Sequence, residues 1–165
     1  MLPILLNSQT VRAGLAGAGD GHARRATLLA EAGLAALAVS PDEPLPPLDV
    51  LFIAGLDAGR TAALAAKARA AGILVNAEDI PELCDFHVPA MVRRGDLILT
   101  ASTGGHAPGL ARRLREWLEG KFGPEWSGHL ADTAQARARW RAAGLPPAEV
   151  SRRTRDLIAE RGWLS

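Results

Sequence analysis

The chain has 165 residues, 48% hydrophobic and 22% charged, a composition that argues against wholesale disorder and leaves enough chain for a buried core. Lys and Arg number 19 against 18 Asp and Glu, and the resulting charge of +1 argues against a general polyanion-binding surface, so nucleic acid is not an expected partner. A lone Cys84 excludes an internal disulfide, the apolar runs fall short of the ~20 residues of a membrane span, and Met1-Leu2-Pro3 lacks a basic leader; a soluble cytoplasmic protein is expected.

In chain order, Leu2 to Leu6 reads as a short strand or the lead-in to one. Val11 to Ala16 reads as a strand despite poor propensity, because a glycine-rich turn and a helix from about His22 to Ala32 follow it. Gly33 suits the position just past that helix, and Leu34 to Val39 makes the next strand. Pro41, Pro44, Pro46 and Pro47 then exclude regular structure. Val50 to Ala54 is a continuous apolar run and reads as a buried strand. Thr61 to Ala71 is an Ala-rich helix closed by Gly72, and Ile73 to Asn76 is a further strand. This alternation predicts βαβ units around a parallel sheet. Beyond it, Phe86 to Val92 and Leu97 to Ser102 flank Arg93-Arg94-Gly95-Asp96 as an antiparallel hairpin. Helices are predicted over about Pro108 to Glu119, His129 to Ala143 and Pro147 to Arg161, the first carrying Leu110, Leu114, Trp117 and Leu118 on one face.

Three stretches could carry chemistry. Gly17-Ala18-Gly19-Asp20-Gly21-His22 lies between a strand and a helix, and Gly17 and Gly19 fit the first two glycines of a dinucleotide fingerprint. The third position holds His22 where Gly or Ala is wanted, so a ligand-free turn is an equal reading. The carboxylate that holds a ribose is missing from the next strand end, where Ser40 stands. Asn76, Glu78 and Asp79 follow a strand at the end where open α/β sheets bind ligands; Asp79 could accept a proton there or simply cap the turn at Pro81. Ser102-Thr103-Gly104-Gly105-His106 precedes a helix and reads as an anion site or as an ordinary helix cap. His22, His87, His106 and His129 show no metal-binding spacing, and no metal site is expected.

Taken together, the segments resemble the siroheme synthase N-terminal family. Leu2 to Leu6, Gly17-Ala18-Gly19, Arg24-Arg25 and Leu28 to Gly33 resemble its start. Gly72 to Asn76, Asp79, Pro81 to Phe86, Val88-Pro89-Ala90, Arg94-Gly95, Ser102 to Gly105, Pro108 and Leu110-Ala111-Arg112 resemble its continuation in order and spacing. Members are precorrin-2 dehydrogenases, some also sirohydrochlorin ferrochelatases. The resemblance implies a shortened Rossmann-like α/β domain over 1–88, a dimerisation segment over 89–123 and a helical region over 124–165. It implies a homodimer that uses NAD to oxidise a tetrapyrrole, with a divalent metal ion as a further substrate in some members. It assigns Asp79 as the catalytic base and Gly17, Ala18, Gly19, Asp20, Gly21, His22 and Ser40 to the cofactor. Asn76, Ser102, Thr103, Gly104, Gly105, His106 and Arg112 go to the substrate.

The departures gather on the cofactor side. The family's Val-Ala reads Gly21-His22, its Thr-Asp-Asp reads Leu56-Asp57-Ala58, and the stretch from Val39 to Asp49 is short by a strand and crossover. Weak or lost NAD binding is therefore expected, and a tetrapyrrole-binding or chelatase-only protein is the alternative function.

Overall fold

An apolar run buried on both sides is what a central parallel strand requires, and Val50–Ala54 supplies it: all five residues are buried. In the computed structural model, which describes residues 1–164, this strand (β3) lies in a four-stranded sheet with β1 (Ala13–Gly17), β2 (Leu37–Val39) and β4 (Leu74–Ala77). The order is β2-β1-β3-β4, with every pair parallel. Strand alternation sends Leu51 and Ile53 to one face, where Leu64, Ala65 and Ala68 of α2 (Ala58–Ala70) cover them. Val50 and Phe52 go to the other face, where Leu29 of α1 (Gly19–Glu31) packs with Leu15 and Leu34. The chain therefore divides into two units, Met1–Val88 and the residues from Pro89 onward, of which the first is this doubly covered sheet.

Several sequence expectations change here. Residues 2–6 form no strand: they find no partner on the sheet, and Leu2, Ile4 and Leu5 are exposed. The strand expected over 34–39 is confined to Leu37–Val39, because Leu34 is used to close α1: Gly33 N–H donates to Ala30 O and Leu34 N–H to Leu29 O. Helix α1 starts at Gly19, three residues before the expected His22. Helix α2 starts at Ala58, three before the expected Thr61, because the Asp57 carboxylate accepts from Arg60 N–H at 2.9 Å.

β4 is an edge strand, and residues 84–88 protect it without forming the strand expected from Phe86. Asp85 N–H donates to Val75 O at 2.8 Å, and the Asp85 carboxylate accepts from Val75 N–H at 2.9 Å and from Arg69 Nε at 2.9 Å. One aspartate thus stands in for a strand partner along the open edge. At the opposite end of the sheet from the strand exits, Arg12 and Asp49 clamp the entries of β1 and β3 through contacts of 2.7 and 3.1 Å from the guanidinium and 2.8 Å from the Arg12 N–H.

In the second unit, β5 (Ala90–Arg94) and β6 (Leu97–Ala101) form the antiparallel hairpin. Its loop is Gly95-Asp96, with glycine first at φ 58° as a two-residue II′ turn requires. Three helices follow: α3 (Pro108–Lys121), α4 (Trp126–Ala142) and α5 (Pro147–Arg161). Arg94 is used internally. Its Nε donates to Phe122 O at 2.7 Å and a terminal N–H to Glu119 O at 3.4 Å, satisfying carbonyls at the end of α3. Trp126 meets the His129 ring edge-on at 5.2 Å, and Trp163 stacks on that ring at 4.2 Å.

Candidate active site

The sheet order reverses between β1 and β3: the chain leaves β1 for β2 on one side and returns to β3 on the other. Ligands of open α/β sheets bind at such a reversal, beyond the strand exits. Here the two exits touch backbone to backbone. A Cβ on Gly17 (φ +125°) would stand 1.7 Å from Ala54 O, and one on Gly55 (φ +74°) would stand 1.8 Å from Ala18 O. Gly19 (φ +74°) differs: nothing lies within 4 Å of its Cβ position, so its backbone faces open space. Helix α1 begins there with no side-chain cap, which leaves first-turn N–H groups pointing at that space. An open glycine before an uncapped helix N-terminus fits a dinucleotide diphosphate. Asp20 and Gly21 continue this first turn, His22 is half-buried just beyond it, and Ser40 is half-buried at the exit of β2.

The exit of β4 carries the polar side chains that the sequence singles out. Asp79 is the sole non-glycine at positive φ (60°) among the described residues. It is exposed and makes no hydrogen bond among them, so the capping role at Pro81 is not observed. Behind it, Asn76 pairs with Phe52 across β3 and β4 and shares the α1 face. Asn76 is 6% exposed; its Nδ2 donates to Phe86 O at 2.9 Å, while its Oδ1 is buried without a partner. The Cys84 thiol closes the same turn, accepting from Ala77 N–H at 3.3 Å and lying 3.2 Å from Ala77 O. Arg25 of α1 lies over the Phe52 ring at 5.5 Å. Burial pushes its pKa down, and the nearby Glu78, Cys84 and Asp79 partly restore it.

The other residues predicted to meet substrate lie in the second unit, on the turn before α3. Ser102 Oγ accepts from Gly104 N–H at 3.2 Å and Thr103 Oγ1 from Ala107 N–H at 3.1 Å, so both hydroxyls shape the helix start. Gly105 and His106 are exposed, and Arg112 on α3 bonds Glu116 at 3.3 Å. No group of three His, Cys, Asp or Glu among the described residues could hold a metal ion. No helix among them is long and apolar enough to cross a membrane.

Three features escaped sequence reasoning. Gly55 answers Gly17 across the strand exits, and a glycine directly after a buried strand was its signal. Asp57 caps α2, a signal present in its spacing to Arg60. The position of Glu78 over α1, described below, has no local signal.

Residues 43–90 match the family described as "Putative NAD(P)-binding". A siroheme synthase of Pseudomonas entomophila (strain L48) is 34% identical over 175 residues, covering 92% of this chain and 37% of that protein. A siroheme synthase of Methylobacillus flagellatus is 36% identical over 142 residues, covering 72% and 30%. The chain thus spans about a third of the length of the curated relatives it matches. Among solved structures, "SirC, precorrin-2 dehydrogenase" superposes with a TM-score of 0.77 over 100% of this chain and 93% of that one, at 19% identity, a likeness of fold.

Proposed function

The chain belongs to the siroheme synthase N-terminal family, and from that premise we propose that it is an NAD(P)-dependent dehydrogenase oxidising precorrin-2 to sirohydrochlorin. The observation that carries this reading is Asp79, held at φ 60° on an exposed turn at the exit of β4. A non-glycine residue in that conformation costs on the order of 1–2 kcal/mol, and such strain is kept where a side chain must be presented. Hydride loss from the substrate has to be accompanied by proton loss, and the Asp79 carboxylate takes that proton. Asn76 acts from behind, tying β4 to Phe86 and so fixing the turn that carries Asp79. Gly17, Ala18 and Gly19 would hold NAD(P)+, which would supply the hydride acceptor. The turn from Ser102 to His106 and the Arg112 guanidinium meet a substrate rich in carboxylates, the guanidinium through its positive charge.

NAD is the expected dinucleotide, bound weakly, since Ser40 gives the ribose no carboxylate and His22 is bulky where the fingerprint wants a methyl or less. If that weakness amounts to loss, the protein is a tetrapyrrole binder or a chelatase acting through the same Asp79, with a divalent metal ion as substrate. Homodimerisation through residues 89–123 is supported by the α3 face bearing Leu110, Leu114 and Trp117, which are 55%, 40% and 58% exposed. Asp79→Asn keeps the side chain's shape and removes the base. It should preserve the circular dichroism spectrum and lower anaerobic precorrin-2 oxidation by about 10²–10⁴-fold; near-native turnover contradicts the assignment.

A further inference from the structure

The β4 exit brings a second carboxylate to the place where a diphosphate is expected. Glu78 Oε2 lies 2.0 Å from the position a Cβ on Gly21 would take, so the carboxylate rests directly on the first turn of α1. Arg24, in the next turn of the helix, pairs with it at 3.6 Å, and the Glu78 side chain is 20% exposed. Its root is fixed by the Glu78 N–H, which donates to Ile53 O at 2.9 Å. The N-cap position of α1 is Ala18, which offers no side-chain acceptor. Glu78 therefore adds a second carboxylate, besides Asp20 of the first turn, near the positive end of α1.

We propose that Glu78 sets cofactor affinity: its carboxylate lies against the side of the first turn of α1, and a dinucleotide diphosphate at that helix start must bind beside the like charge. The proposal takes from the dehydrogenase reading only that the ligand is a dinucleotide. It also reassigns Gly21, which is small to make room for Glu78, since any Cβ there would drive the carboxylate away. The contribution is specific to this site, because Arg24 balances Glu78 from the solvent side while leaving it in contact with the helix.

Isothermal titration of the full chain with ADP-ribose and with NAD+ tests this. Glu78→Gln keeps the shape without the charge and should lower both Kd values about tenfold, with the gap to wild type shrinking as salt is raised. Gly21→Ala displaces the carboxylate and should also tighten ADP-ribose binding. Equal or weaker binding by Glu78→Gln, or no binding by any variant, overturns the proposal. Weaker binding by a folded Gly21→Ala overturns the placement of the carboxylate beside the diphosphate; if that variant does not fold, Glu78→Gln alone decides. Failure of the dehydrogenase reading shows separately, as absent precorrin-2 turnover in a protein whose ADP-ribose titrations behave as stated.

Discussion

Replacing Gly17 by alanine should damage the fold far more than replacing Gly19, two residues away. At Gly17 the backbone sits at φ +125° and the new Cβ would lie 1.7 Å from Ala54 O and 2.8 Å from Ala54 C. The conformation alone costs an L-residue about 1–2 kcal/mol. Relieving the contact means prising β1 from β3 at their exits, where Gly17 pairs with Ala54, and such overpacking typically costs about 1–3 kcal/mol. The sum, about 2–5 kcal/mol, is a large part of the roughly 5–15 kcal/mol that holds a domain together. For a unit of this size about 4–8 °C is lost per kcal/mol, so Tm should fall by at least about 8 °C. Gly55→Ala, with its Cβ 1.8 Å from Ala18 O, should behave alike. At Gly19 the backbone sits at φ +74° and a Cβ meets nothing within 4 Å, so the cost is about 1–2 kcal/mol of conformation and no clash. Gly19→Ala should instead lose ADP-ribose affinity, because its backbone borders the open space proposed for the dinucleotide. Thermal unfolding followed by circular dichroism separates the two. Equal Tm losses at Gly17 and Gly19, or a Gly17→Ala protein as stable as wild type, would refute the backbone contact between the strand exits.

Asp79→Gly should relieve the strained turn and gain about 0.5–1 kcal/mol in denaturant unfolding, while abolishing oxidation as Asp79→Asn does. Arg94→Ala should cost about 1.5–3 kcal/mol, because it leaves carbonyls at the end of α3 without their charged donor; Arg94→Lys should restore only part of this in the same measurement. Hydrogen bonds from Arg12 hold the Asp49 carboxyl down at about 2, against about 3.9 when unfolded. Its stabilising effect is therefore complete above about pH 4 and lost as pH falls toward 2, so Asp49→Asn should flatten the dependence of Tm on pH within that window. Light scattering should return twice the chain mass for wild type and the chain mass for Trp117→Glu; a monomeric wild type would contradict the dimer.

What the sequence revealed depended on whether a signal was local. Val50–Ala54 and Pro147–Arg161 are found with the bounds read from sequence, one a continuous apolar run, the other opened by Pro147 and closed by Gly162. The hairpin was legible because Gly95 dictates the turn. Residues 2–6 have strand-like composition but no neighbour to pair with, and pairing is a property of the whole sheet. Phe86 and Val88 are apolar because they pack on the α1 face of the sheet, and the hydrogen bonding of that edge passes through Asp85 instead. At the site, Gly17, Gly19 and Asp79 could be singled out by spacing and by their place after strands. The contact of Glu78 with Gly21 joins two segments 57 residues apart in the chain, and nothing in either segment announces it. Asn76 was legible as a residue of interest, but its hydrogen bond to Phe86 O depends on where the 84–88 segment runs.

The most direct measurement is anaerobic incubation of the purified full chain with precorrin-2 and saturating NAD+, followed by absorbance. The account predicts that the sirohydrochlorin spectrum grows in with NADH formed in equal amount, at a rate that depends on NAD+ into the high micromolar range and that collapses in Asp79→Asn. A spectrum that stays that of precorrin-2 at saturating NAD+, in a protein that is folded and binds the tetrapyrrole, would contradict it.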